Sequence, residues 1–199
     1  MIKNKTFIFI VLTLVFHSCT KISYLVIGVK KIEKIELENA HPKFVSKNLK
    51  SLNYDCIFSD STTFSKFHST IPDEFKKPFY QPIQLLYFQH DTLVSYHVNC
   101  NARGNGFTIN WNTNNRFNQF VPAKANNVHG INITTIKKFY PEIKNDTNKT
   151  TIIIFWTNAF ERHVKSALKT VAKNIYHFQQ EQNIKIYLIN IDDFYKSII

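Results

Sequence analysis

Three cysteines and eight histidines are the groups in this chain with the widest chemical repertoire, as nucleophiles, bases or metal ligands. Cys56 and Cys100 form an even pair that could close a disulfide in an oxidising compartment or remain two thiols packed as small apolar residues, and their spacing leaves both open. His97 and Cys100 stand three apart, with His90 and Cys56 as further zinc-ligand types. A zinc site ordinarily shows a tight pair on each side, and the second pair is missing, so neither a metal nor another cofactor is expected. Asp192-Asp193 closes an apolar run at a place where α/β proteins often bind ligands, although such a pair also serves as a solvated cap. Trp111 lies among Asn110, Asn112, Asn114 and Asn115, a set able to stack on sugars and hydrogen-bond to them, or to form ordinary aromatic core. His163 has the type of a general base, but no nucleophile or orienting partner lies near it in sequence, and a surface place in the first turn of a helix is the simpler expectation. The chain has no Gly-rich phosphate loop and no Gly-x-Ser-x-Gly elbow.

The elements that must position these groups are clearest at the C-terminal end. Thr151 to Trp156 is an unbroken apolar run of the kind covered on both faces, which predicts a central strand. Asn158, with Glu161 three residues on, predicts a helix start by a capping box. Phe160, Val164, Ala167, Leu168, Val171, Ala172, Ile175 and Phe178 then recur at helical spacing, Asn183 is placed to close the helix, and Ile184 to Ile191 reads as a second apolar strand. A strand, a helix and a strand in this order predict a parallel βαβ unit. Upstream, Gln84 to Gln89 and Thr92 to Cys100 flank His90-Asp91 as a β-hairpin would, and Phe107, Ile109 and Trp111 alternate with polar residues as in a third antiparallel strand. Tyr54 to Phe58 is a short strand candidate, and Ser59 to Pro82 reads as irregular, with a helical turn. Ile131 to Tyr140 predicts a short helix ending before Pro141. Before Ser51 the pattern suggests two short helices, one with Ile32, Ile35 and Leu37 as its apolar stripe and one over Lys43 to Leu52.

The run Thr151-Ile-Ile-Ile-Phe-Trp156, the long helix and Ile186-Tyr-Leu-Ile-Asn-Ile-Asp192 together resemble the first half of a thioredoxin core. The resemblance covers about 43 residues and implies an α/β fold, a mixed α+β sandwich in which residues 84–111 supply the antiparallel strands. It also places the family's Cys-x-x-Cys pair on Phe160, Glu161, Arg162 and His163, none of which is cysteine. Thiol–disulfide exchange needs a stabilised thiolate and a second, resolving thiol, and Phe160 supplies neither. The family's cis-proline loop after the helix is missing too, because the last proline is Pro141. The resemblance therefore implies a rearranged, redox-inactive relative with a binding or scaffolding role and no catalytic residue. Two alternatives stay open. One is an oxidoreductase relative using Cys56 or Cys100, and the other is an envelope glycan or lipid binder.

The first residues say where such a domain would work. Lys3 and Lys5 precede an apolar run from Phe7 to Phe16, and His17-Ser18-Cys19 follows. The run is about half the length of roughly 20 residues that a membrane-crossing helix needs. This pattern resembles the signal peptide and lipobox of bacterial lipoproteins, in the looser form found in Bacteroidetes, with Cys19 as the acylated residue. It implies a signal peptide at 1–18, a tether and N-terminal helical segment at 19–53, a single domain at 54–199 and a lipid-anchored place in the cell envelope. A plain cleaved signal, or an anchor helix continuing through Ile22 to Val29, are the other readings, and both also point out of the cytoplasm. The formal net charge of the 199-residue chain is +11, and losing Lys3 and Lys5 with the signal leaves +9. The lysines are scattered in sequence with only short pairs, so no nucleic-acid partner is expected; the expected partners are the membrane, through the lipid, and an envelope protein.

Overall fold

A computed structural model describes Val29, Ile32 and residues 43–104, 109–144, 146 and 148–196. Cys19 and the rest of the expected signal and anchor lie outside the described residues. Among the described residues no helix is long and apolar enough to cross a membrane.

The βαβ unit forms as its residue pattern predicts. Strand β6 (Thr150–Trp156) is buried along its whole length, helix α5 (Glu161–His177) follows, and strand β7 (Ile184–Asn190) returns parallel to β6, with Ile152 opposite Ile186 and Trp156 opposite Asn190. Strand β1 (Tyr54–Phe58) adds to the outer side of β7, also parallel. The predicted hairpin is present as β2 (Gln84–Gln89) and β3 (Thr92–Val98), with His90 at its turn in the left-handed region (φ 56°). It pairs antiparallel with β6 through β2, so one five-stranded mixed sheet runs in the order β1-β7-β6-β2-β3.

Both faces of this sheet are covered, which is why β6 and β2 read as continuous apolar runs. Helix α1 (Lys43–Asn48) and α5 cover one face, with Val45 and Leu49 packed beside Val164, Leu168, Val171 and Ile175. Burying each of those last four aliphatic side chains contributes about 1.5–3 kcal/mol. On the other face lie α2 (Ser61–Ser69), α3 (Asp73–Phe79), α4 (Ile133–Lys137) and α6 (Asp192–Lys196), whose Phe64, Phe67, Phe79, Ile136 and Tyr195 join Leu86, Ile153, Phe155 and Ile189. Ser59 to Pro82, expected to be mostly irregular, thus holds two helices. Asp60 caps α2 by accepting from the Thr63 N–H at 2.7 Å, while Phe64 and Phe67 fall one turn apart on its buried side. Ile32 and Val29 pack into the same layer. Ile32 is not helical there, and Ile35 and Leu37 lie outside the described residues.

Three local expectations are corrected. The third antiparallel strand does not join the main sheet: among the described residues of that stretch Ile109–Asn110 is strand, here β5, pairing with Arg103–Gly104 (β4) in a separate two-stranded ribbon, and Phe107 lies outside the described residues. Trp111, the next expected strand residue, instead buries its ring against the α5 layer. The turn before α5 is capped by Thr157, whose hydroxyl accepts from the Ala159 N–H, and not by Asn158. At the other end, α5 stops at His177, six residues before Asn183, because Gln179 enters the left-handed region (φ 54°). The Gln180 N–H then reaches the Ile175 carbonyl (3.0 Å) and the Gln179 N–H the Tyr176 carbonyl (3.2 Å), a Schellman closure built without glycine.

Candidate binding site at the head of the long helix

Strand β6 ends at Trp156 and the chain must turn immediately into α5. The turn is held from β7 and α6. Asp192 is 1% exposed, and its carboxylate accepts from the Thr157 hydroxyl (2.6 Å), the Asn158 N–H (2.6 Å), the Asn158 amide (2.7 Å) and the Asn190 amide (3.0 Å). The expectation of a solvated strand cap is therefore wrong for Asp192, although it suits Asp193, which is exposed and accepts from the Ser61 N–H at 2.8 Å. A carboxylate has about four acceptor positions, and four donors occupy those of Asp192. It is a clamp on the turn.

The four positions that the thioredoxin resemblance singles out sit just beyond this clamp. Phe160 packs against both apolar layers at the end of the sheet and lies against the ring of His163 (centroids 6.0 Å, 27° between planes). Glu161 pairs with Lys165 one turn on, and Arg162 is exposed. His163 was expected at the surface but is only 5% exposed, because the first turn of α5 packs its side toward α1. The position that the resemblance assigns to the family's nucleophile is thus taken by a packed aromatic ring.

Cys56 and Cys100 do not meet. Cys56 is on β1 and Cys100 just after β3, the two opposite edges of the sheet, and both are free thiols, so of the two readings left open the structure has the unbonded one. Four strand spacings of about 4.8 Å separate those edges. Partial burial, with the Asp55 charge as a smaller cause, pushes the Cys56 thiol up to about 11, away from thiolate character. His97 and Cys100 are not joined by a second ligand pair: no group of three or more potential ligands occurs among the described residues. His97 is instead buried, its Nε2 3.0 Å from the Ser95 hydroxyl and its ring 4.8 Å from that of Phe117. Burial, with Arg116 as the smaller cause, lowers its pKa to about 4, so it is neutral at pH 7.

What the residues do assemble is an electropositive cleft. Lys43 and Lys47 fall one turn apart on α1, and Arg162, Lys165 and Lys169 fall on the facing side of α5. They line a hollow of about 690 Å³ over Phe44 and Ile109, with no carboxylate among its described lining residues. The Lys165 ammonium lies 5.3 Å from the centre of the Phe44 ring, while Lys43, Lys47 and Lys169 make no ion pair among the described residues. Sequence reasoning passed over these lysines as scattered. The available signal was their helical spacing, and the convergence of two helices was not legible. Comparison of the chain with models of known protein families, with characterised proteins and with solved structures found no match.

Proposed function

We propose that this chain is a lipid-anchored protein of the cell envelope whose thioredoxin-like domain binds a partner and does not catalyse thiol exchange. The observation that carries the binding role is Phe160: at the position of the family's first cysteine it packs into both apolar layers, and both thiols of the domain stand on the sheet edges. The thioredoxin-like reading is supported by the hairpin β2–β3, which lies beside β6 although it precedes β6 in sequence. Antiparallel strands supplied from residues 84–111 are what the resemblance implies. The anchor rests on the basic, apolar and Ser18-Cys19 pattern of the first residues. The raised Cys56 thiol weighs against the alternative of an oxidoreductase built on Cys56 or Cys100.

Dithiothreitol-driven insulin reduction tests the catalytic half, with rates at the uncatalysed baseline expected. Turnover that disappears in Cys56→Ser or Cys100→Ser would overturn it. Metabolic palmitate labelling tests the anchor: label is expected on the intact chain and not on Cys19→Ser, and a chain that never takes label refutes the lipoprotein reading.

A further inference from the structure

The basic cleft has a neighbour on the same helix. A second hollow, of about 830 Å³, opens one turn further along α5 and is lined by Asn110, Asn112, Asn118, Thr170, Lys173 and His177 among others. Strand β5 divides the two: Ile109 faces the basic hollow and Asn110 the amide-rich one, as alternate residues of a strand must. The Ser166 hydroxyl donates to the Ile109 carbonyl (3.2 Å) and ties this divider to the helix.

The second hollow is built from amides held in place by one another. Asn112 accepts from the Phe117 N–H (2.7 Å) and donates to the side-chain Oδ1 of Asn118 (2.9 Å), and Asn110 accepts from the Asn112 N–H (3.0 Å). Asn174 donates to the Phe117 and Gln119 carbonyls (2.8 and 2.9 Å), fixing the loop over the helix. After these bonds the NH₂ groups of the exposed Asn110 and Asn118 have no protein acceptor among the described residues. Cations continue past the divider, since Arg162, Lys165, Lys169 and Lys173 follow one another along α5. From the first to the last the rise is about 16 Å.

We propose that these two hollows form one extended site for an anionic oligosaccharide, a sugar chain bearing sulfate, phosphate or carboxylate groups. The charged groups sit among Lys43, Lys47 and Lys169, and sugar hydroxyls accept from the amides of Asn110 and Asn118. A lysine is a point charge that accepts any oxyanion geometry, in keeping with a site of four lysines and one arginine over the first hollow. Single-stranded nucleic acid fits less well, because base stacking needs an open aromatic face. The Phe44 ring stands edge-on to Trp156 at 5.7 Å and carries Lys165 on its face. This inference names the ligand class for the binding role proposed above and does not depend on the lipid anchor.

The test is titration calorimetry on the purified full-length chain in mild detergent, with short dextran sulfate, unsulfated dextran, and polyphosphate and polyglutamate of matched charge as probes. Dextran sulfate is expected to bind tightest. The Lys43→Gln, Lys47→Gln, Lys169→Gln triple variant, all surface positions, is expected to bind it about tenfold more weakly. Asn110→Ala with Asn118→Ala is expected to lose about fivefold per amide on dextran sulfate while leaving polyphosphate unchanged. Equal affinity for all three polyanions, or an asparagine pair without effect, would overturn the glycan assignment. Absence of binding to any probe would overturn the site itself, and none of these results bears on the insulin assay.

Discussion

Removing the Asp192 carboxylate should release the head of α5, and the cost follows from its partners. Asp192→Ala leaves the Thr157 hydroxyl, the Asn158 N–H and the amides of Asn158 and Asn190 without their acceptor. Hydrogen bonds to a charged group contribute about 1.5–3 kcal/mol each when taken singly, but the four are not additive. The Asn158 side chain is partly exposed and can turn to water, whereas Thr157 and Asn190 are buried and cannot. The expected loss is therefore about 3–5 kcal/mol, the range for opening a buried network and a large share of the roughly 5–15 kcal/mol that holds a domain together. Asp192→Asn is the sharper probe, because it keeps the shape yet turns an NH₂ toward groups that are themselves donors; about 2–3 kcal/mol is expected. Asp193→Asn, exposed and holding one backbone N–H, should cost less than about 1 kcal/mol. Urea unfolding followed by tryptophan fluorescence and far-UV dichroism reads all three, with unchanged m-values showing a common two-state transition. An Asp192→Asn protein within about 0.5 kcal/mol of the parent would refute the clamp.

Acid should destabilise the domain through His97. Its folded pKa is lowered from 6.5 to about 4, so between those values the unfolded chain holds the extra proton; stability is fully present above about 6.5 and is lost as pH falls toward 4. The shift corresponds to about 3 kcal/mol, and urea midpoints at pH 7, 5.5 and 4.5 should fall less steeply in His97→Phe; parallel slopes would remove His97 as the cause. In a Cys19→Ser background without reductant, Ellman's reagent should find both remaining thiols free, with Cys100 reacting fast. Cys56, pushed up to about 11, is only about 0.1% thiolate at pH 8 and should react slowly. Two silent thiols that appear only after reduction would restore the disulfide.

Local periodicity carried the elements whose environment is uniform along their length. Thr150–Trp156 and Ile184–Asn190 are buried almost throughout, and α5 shows its sheet one stripe, so an apolar run and a helical repeat sufficed to read them. The hairpin was legible from two runs of β-forming residues on either side of His90-Asp91. Helix ends were not: Thr157 and Asn158 are adjacent residues of capping type between which composition does not choose, and Gln179 and Gln180 close the helix through backbone geometry.

The residues alone thus determined the βαβ unit, the adjoining hairpin and the lack of a thiol pair at the head of the helix. Everything that depends on which strands become neighbours was decided by tertiary structure. Because β1 and β3 take the outer places, Cys56 and Cys100 are parted. Because β7 lies beside β6, Asp192 lands under a turn 34 residues before it. Because α1 settles on α5, lysines at 43 and 47 meet those at 165 and 169 in one cleft. Hydrophobic burial selects such packings for the area they remove from water, and the charges they gather follow from it without leaving a mark in the linear sequence.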